Sequence, residues 1–257
     1  MRIQTVEESS ALQVDSYRWR LSGAFLAHLF KATTQQHHRA LTATIARLVP
    51  QAAVVFDVGA HAGQYTKLFA RAAAEGRVYA VEPGSYARSI LRSVVWLHGL
   101  ANVTVLPMGL GAGSGLGTLT LPVKGRGSLG FGLAHLGAPG GRWDAVAQEL
   151  VALTTLDAIV AALGLERLDL IKADIEGWEL RLLTAGRDTL RRFRPRLMLE
   201  LTSDHLARAG DRLDDAFAFL DELGYAAFEL AHGGELIPVT TRHDGDFWFI
   251  SREDPAA

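Results

Sequence analysis

Carboxylates recur at the ends of apolar runs in this chain, where a side chain can meet a ligand. Val54-Val55-Phe56-Asp57-Val58 leads into Gly59-Ala60-His61-Ala62-Gly63, so an apolar strand ends in an acidic residue and a glycine-spaced turn. Tyr65, Leu68, Phe69 and Ala72 then recur at helical spacing. Strand, turn and helix N-terminus form a cradle that lets backbone approach a ligand and offers free N–H groups to an anionic one. Val78-Tyr79-Ala80-Val81-Glu82-Pro83 is a second apolar strand ending in a carboxylate. Glu82 falls about 20 residues past the turn, the offset at which doubly wound folds grip ribose hydroxyls.

A third charged end is denser. Leu168-Asp169-Leu170-Ile171-Lys172-Ala173-Asp174-Ile175-Glu176-Gly177-Trp178-Glu179 carries several charges where a buried strand gives way to a helix. Lys172 and Asp174 share a face by the two-residue strand period. Glu176 and Glu179 fall in the first helical turn, where carboxylates suit the dipole, and Glu179 reads equally well as a cap or ion-pairing residue. Arg196-Leu197-Met198-Leu199-Glu200 brings another carboxylate to a neighbouring strand end. In a parallel sheet such ends border the ligand crevice.

These residues need an alternating scaffold to position them. Strands are predicted over 54–58, 78–81, 103–106, 168–173, 197–201, 226–230 and 247–250, with helices at 85–97, 178–184 and 213–223. Alternation of this kind argues an α/β fold with a mostly parallel sheet. The last two strands read as an antiparallel hairpin closing the far edge. Residues 1–50 read as a helical cap, from Tyr17-Arg18-Trp19-Arg20 through Phe25 to a second helix over 40–48, with a lid over the substrate pocket as the alternative. Residues 51–257 form the main domain. Within it, Gly109 to Gly141 holds twelve glycines around Thr118-Leu119-Thr120-Leu121, a small strand-like island. No helix is expected there. The segment is either a surface loop or a mobile flap over the strand ends.

Bulk properties exclude several classes. The chain has 257 residues, 26 basic and 28 acidic groups, and no cysteine. Disulfides, thiolate catalysis and cysteine-ligated metals are therefore out, and nothing in the charge balance favours nucleic acid or an anionic membrane. The N-terminus lacks a signal-peptide core, and no apolar run approaches the roughly 18–20 residues of a membrane span, so a cytoplasmic protein is expected. Gly-x-His-x-Gly is not the dinucleotide spacing, which leaves a nicotinamide-dependent oxidoreductase without its main support.

Taken in order, Asp57 to Gly63, Val81-Glu82-Pro83, Thr155-Leu156-Asp157, Ile171 to Glu179 and Pro195 to Glu200 resemble the FkbM family of methyltransferases. The resemblance spans roughly residues 45–250. It implies a class I methyltransferase (Rossmann-like) fold, a seven-stranded mostly parallel sheet with an antiparallel last strand and helices on both faces. It also implies S-adenosylmethionine as cofactor and O-methylation of a small-molecule hydroxyl, on a sugar or a polyketide-type product. A non-catalytic cofactor-binding protein of the same fold is the alternative from another class. His61 stands where the family often has Asn, and Val94 and His98 stand where polar Asn residues are expected.

The resemblance assigns roles. Cofactor contacts are expected from Asp57, Gly59, Ala60, His61, Gly63, Tyr65, Thr66, Glu82, Pro83 and Asp174, with core packing as the alternative for Tyr65. A hydroxyl acceptor calls for a base. Asp174 is the first candidate, Glu200 and His205 the second, and His37 and His38 outside choices. Asp174, Glu176 and Glu200 could instead hold a divalent ion, but the metal-free base is preferred. A small-molecule acceptor is the expected partner, with a homo-oligomer open.

Overall fold

β-Branched residues crowd the runs at 54–58, 77–81 and 103–106, and such runs are stable as strands when both faces are covered. The computed structural model describes residues 22–124, 128–129, 135–136, 145–231 and 233–254. It opens with α1 (Gly23–Thr34) and α2 (Thr42–Leu48), then alternates β1 (Val54–Val58), α3 (Gln64–Ala72), β2 (Arg77–Val81), α4 (Ser85–Leu97) and β3 (Val103–Leu106). Strands β4 (Gly109–Leu110), β5 (Gly115–Lys124), β6 (Ser128–Leu129), β7 (His135–Leu136) and β8 (Ala145–Thr154) follow. Alternation resumes with α5 (Leu156–Ala162), β9 (Leu170–Ala173), α6 (Glu179–Thr184), α7 (Arg187–Phe193), β10 (Arg196–Leu201), α8 (Ser203–Arg208) and α9 (Leu213–Glu222). The chain closes with β11 (Tyr225–Leu230), β12 (Leu236–Pro238) and β13 (Gly245–Ser251).

The main sheet has the order β12-β11-β13-β10-β9-β1-β2-β3. Strands β10, β9, β1, β2 and β3 are parallel, while β13 runs antiparallel between β10 and β11. Strand order reverses between β1 and β9, so a crevice opens at their C-terminal ends. One face buries Phe56, Ile171, Leu182, Leu190 and Phe217; the other buries Ile45, Val55, Phe69, Val78 and Trp248. Among the described residues no helix is long and apolar enough to cross a membrane.

Two expectations change in detail. The antiparallel pairing of β11 with β13 is present, but β12 adds an eighth strand outside it. This strand is short and contains Pro238, which an edge strand tolerates. The glycine-rich segment is not simply a loop. Its first half supplies β4 and β5, and β5 pairs antiparallel with β8 from Gly115 opposite Leu153 to Val123 opposite Ala145. A side chain at Gly117 would stand 2.6 Å from Leu153, so the glycine makes room for its cross-strand neighbourhood. Residues 125–127, 130–134 and 137–141 of the expected flap lie outside the described residues, as does Tyr17-Arg18-Trp19-Arg20.

Helix α1 starts at Ser22, whose hydroxyl accepts from Phe25 N at 3.1 Å. Phe25 and Ala32 pack against Tyr86, Ile90 and Val94 of α4. His98 Nε2 lies 3.0 Å from the Thr33 carbonyl. Two positions that depart from the family pattern, Val94 and His98, thus serve to dock this helix. At its other end, buried Lys67 donates to Ala32 O at 2.6 Å and Gln35 O at 2.9 Å. Replacing Lys67 with Ala leaves both carbonyls without this cation, and a loss of about 1–3 kcal/mol is expected. A lowered urea midpoint with unchanged m-value checks this.

Candidate active site

After β1 the chain turns through Gly59 and Gly63, both with positive φ (72° and 83°). A Cβ at Gly59 would lie 2.0 Å from the Asp174 carbonyl oxygen, so only glycine lets the β1 turn reach the end of β9. Gly59 N and Ala60 N both donate to Val81 O at 3.0 Å, tying this turn to β2. The three strand ends surround a cleft of about 400 Å³.

Asp57 lies beneath the turn and is fully buried. Its Oδ2 accepts from the Thr66 hydroxyl at 2.5 Å, and the Thr66 backbone also bonds it, so it anchors the start of α3. Lys172 is 4% exposed, donates to Gly59 O at 3.2 Å, and stands 3.4 Å from Asp174 Oδ2 and 3.9 Å from Asp57 Oδ1. Burial pulls its ammonium down, but Asp174 and Asp57 outweigh burial and hold it above the usual lysine range. The same balance governs its partners. Burial raises Asp57 despite Lys172. Burial also pushes Asp174 up, but Lys172 and a hydrogen bond with Glu200 hold it below the usual range. Glu200 takes the opposite course: burial, that hydrogen bond and the Asp174 charge push it up to about 8.

Glu82 faces this pair across the end of β1. Its Oε2 accepts from His61 N and its Oε1 from Gly84 N, both at 2.8 Å. Each oxygen keeps a second lone pair. Burial raises Glu82 to about 7, although both backbone donors oppose the shift. The second sheet closes this side. Glu149 of β8 accepts from Ser85 N at 2.9 Å at the start of α4, and Leu119 and Leu121 of β5 line the cleft.

Of the expected site residues, Gly59, Ala60, His61, Tyr65, Glu82, Pro83, Asp174 and Glu200 line the cleft. Asp57, Gly63 and Thr66 lie behind it, Asp57 and Thr66 bonded to each other and Gly63 at the start of α3. His205 is not among the lining residues. It sits on α8 with Nδ1 3.3 Å from Glu176 Oε2, behind a turn where a Cβ at Gly177 would lie 2.1 Å from its carbonyl. Glu179 proves to be a turn-closing group, accepting from Ile175 N at 2.8 Å, with burial raising it to about 7. Thr155 caps α5, and Asp157 accepts from Thr189 N at the start of α7. Lys172 and the leucines of β5 were not singled out as site residues. The alternation of Lys172 with Asp174 was the available signal; for the leucines it was their place in Thr118-Leu119-Thr120-Leu121, within the segment expected as a possible flap over the strand ends.

The model of the methyltransferase FkbM domain matches residues 57–227. The chain belongs to this family. Its methyltransferases draw their methyl group from S-adenosylmethionine. No curated protein matches the sequence. Among solved structures, the FkbM methyltransferase of Methylobacillus flagellatus KT is 16% identical, covering 88% of this chain with a TM-score of 0.48. This chain spans 58% of that protein's length. A putative methyltransferase of Streptococcus mutans, SMU.1697c, solved with SAH, is 11% identical over 84% of this chain and 96% of its own, at a TM-score of 0.47. A putative O-methyltransferase of Klebsiella pneumoniae is 15% identical over 90% of each chain, at 0.48.

The residues present fit the family's cofactor. The cleft has the size of a small-molecule site. Glu82 presents a desolvated carboxylate with spare lone pairs, and Gly84 and Gly59 keep the backbone bare where a Cβ would strike Leu119 or Asp174. Among the described residues no group of three His, Asp or Glu side chains could hold a metal ion.

Glu82, Glu179 and Glu200 all have folded-state pKa values above their ordinary 4.5. Through these three groups the folded chain binds more protons than the unfolded one between about pH 4.5 and 8, and their contribution to stability falls as pH rises through that window, opposed by His28 and His38, which burial lowers. Thermal melts of the ligand-free protein are expected to show a higher Tm at pH 5.5 than at pH 8. Glu179→Gln, which keeps the acceptor for Ile175 N but cannot ionise, should flatten that slope.

Proposed function

We propose that this chain transfers the methyl group of S-adenosylmethionine to a hydroxyl of a small molecule, a sugar or a polyketide-type product. The observation that carries this reading is the hydrogen-bonded Asp174–Glu200 pair, which shares one cleft with Glu82. When bound, the cofactor supplies an electrophilic methyl on a sulfonium, so the protein's remaining tasks are alignment and removal of the acceptor's proton. Glu82 would accept the cofactor's ribose hydroxyls on the lone pairs left by His61 N and Gly84 N. The Gly59–Gly63 turn and Tyr65 would hold its methionine portion.

Asp174 and Glu200 divide the proton work. With Asp174 held low by Lys172 and Glu200 raised to about 8, the pair carries one proton near neutral pH. Its two titration steps belong to the pair jointly. The ionised oxygen of the pair is a base at the cleft wall, and loss of the second proton strengthens it. Asp174→Asn and Glu200→Gln are each expected to lower kcat by about 10²–10⁴, with affinity for S-adenosylhomocysteine retained in calorimetry. The wild-type rate should climb toward pH 8, and Glu200→Gln should lose that limb. Undiminished turnover in both variants would remove the pair from the mechanism.

Glu82 is tested separately. Glu82→Ala strips both backbone donors of their acceptor and the ribose of its partner, and S-adenosylhomocysteine affinity should fall at least tenfold. Calorimetry showing wild-type affinity would take Glu82 out of the cofactor site.

A further inference from the structure

The segment joining α1 to α2 reaches the cleft at His38 and is held there by several bonds. Lys67 grips Ala32 O and Gln35 O, Gln36 Nε2 donates to Gln64 O at 3.0 Å, and His37 N donates to Gln64 Oε1 at 3.3 Å. These contacts deliver His38 to the cleft wall. Its ring stacks on Tyr65 with centroids 4.1 Å apart and planes 19° apart, while Lys172 Nζ lies 5.1 Å from the Tyr65 centroid. Packing against Tyr65 explains the ring's plane. It leaves the edge unexplained, because neither ring nitrogen of His38 has a hydrogen-bond partner among the described residues.

We propose that His38 is an acceptor-binding residue, its imidazole edge hydrogen-bonding the hydroxyl-bearing acceptor on the Asp174 side of the cleft. This rests on the reading of the cleft as a hydroxyl methylation site. A neutral imidazole offers one donor and one acceptor, which matches a hydroxyl that also does both. The groups around His38 keep it neutral. Burial lowers its pKa first, then Lys172 of β9 and the adjacent His37; Asp174 opposes them more weakly, and Tyr65 of α3 covers one face. Protonation at low pH converts the ring to two donors and places a second cation near Lys172, so the acceptor half of the match is lost. The segment that notionally caps the fold is thereby part of the acceptor pocket, whereas cofactor contacts lie around Glu82 and the glycine turn.

The test measures binding without turnover. Protein loaded with S-adenosylhomocysteine is titrated with a panel of methyl hexopyranosides, read by saturation-transfer NMR. Wild type, His38→Ala and His38→Asn are compared, with S-adenosylhomocysteine affinity measured for each. A loss of about tenfold or more in glycoside affinity for His38→Ala is expected, the worth of one well-made hydrogen bond. Partial rescue by His38→Asn, whose amide supplies a donor and an acceptor, is expected too. Cofactor-product affinity should stay within about twofold, and the weakening that protonation of His38 brings to wild type at low pH should vanish in His38→Asn. Equal glycoside affinity in wild type and His38→Ala overturns the assignment. So does a parallel fall in S-adenosylhomocysteine affinity, which would mark a merely structural role. If wild type binds S-adenosylhomocysteine but no glycoside, the sugar reading of the acceptor fails and His38 falls with it.

Discussion

Lys172 places an ammonium where water scarcely reaches, and the open end of the sheet is arranged around that charge. Burying a cation costs several kcal/mol unless close partners compensate it. Here the partners are Asp174 at 3.4 Å, Asp57 at 3.9 Å and the Gly59 carbonyl at 3.2 Å, drawn from β1, its turn and the end of β9. The consequence runs outward. Burial raises Glu200 first; because Lys172 also holds Asp174 ionised, Glu200 meets a fixed negative charge as well and is pushed up to about 8. A carboxyl pair with one proton at neutral pH is thus the joint product of burial and of a lysine at the cleft wall. Removing that lysine would leave Asp57, already raised by burial, as an uncompensated buried acid.

Closure of the cleft depends on elements remote in sequence. The glycine turn brings β1 and β2 together, but Leu119, Leu121 and Glu149 come from the second sheet, and His38 comes from before the first strand. Glu149 at the start of α4 is an instructive case. It places a carboxylate on the backbone N–H of Ser85, three residues after Glu82, so the helix N-terminus is satisfied from within the chain.

Legibility followed the physics of each element. Strands β1 and β3 were placed to the residue, because short apolar runs rich in valine and bounded by turns allow few other readings. Helix α4 was likewise placed at both ends. Within β5 only Thr118-Leu119-Thr120-Leu121 shows strand alternation, and β8 was missed because its own run carries Gln148 and Glu149 and its partner is otherwise glycine-rich. The short helices α7 and α8 escaped for lack of a long periodic face. At the site, strand ends announce which carboxylates can meet, so Asp174, Glu200 and Glu82 were readable. Which charges converge is a tertiary property. Lys172 therefore passed as one charge among several, Thr66 looked like a ligand contact rather than the partner of Asp57, and His205 looked available although Glu176 engages it.

The raised carboxyls also bear on why such a site stays open. Glu82 and Glu200 would each be more comfortable in water, and the fold holds them desolvated against that preference. A site of this kind lowers the stability of the empty protein and reserves the compensation for whatever donates hydrogen bonds to those oxygens. The backbone N–H groups of His61 and Gly84 supply part of it in advance, fixing both oxygens of Glu82 without using all their lone pairs. Recognition and stability are therefore linked through the same two carboxyls, Glu82 and Glu200, whose desolvation burdens the empty fold and leaves oxygens for a ligand to satisfy.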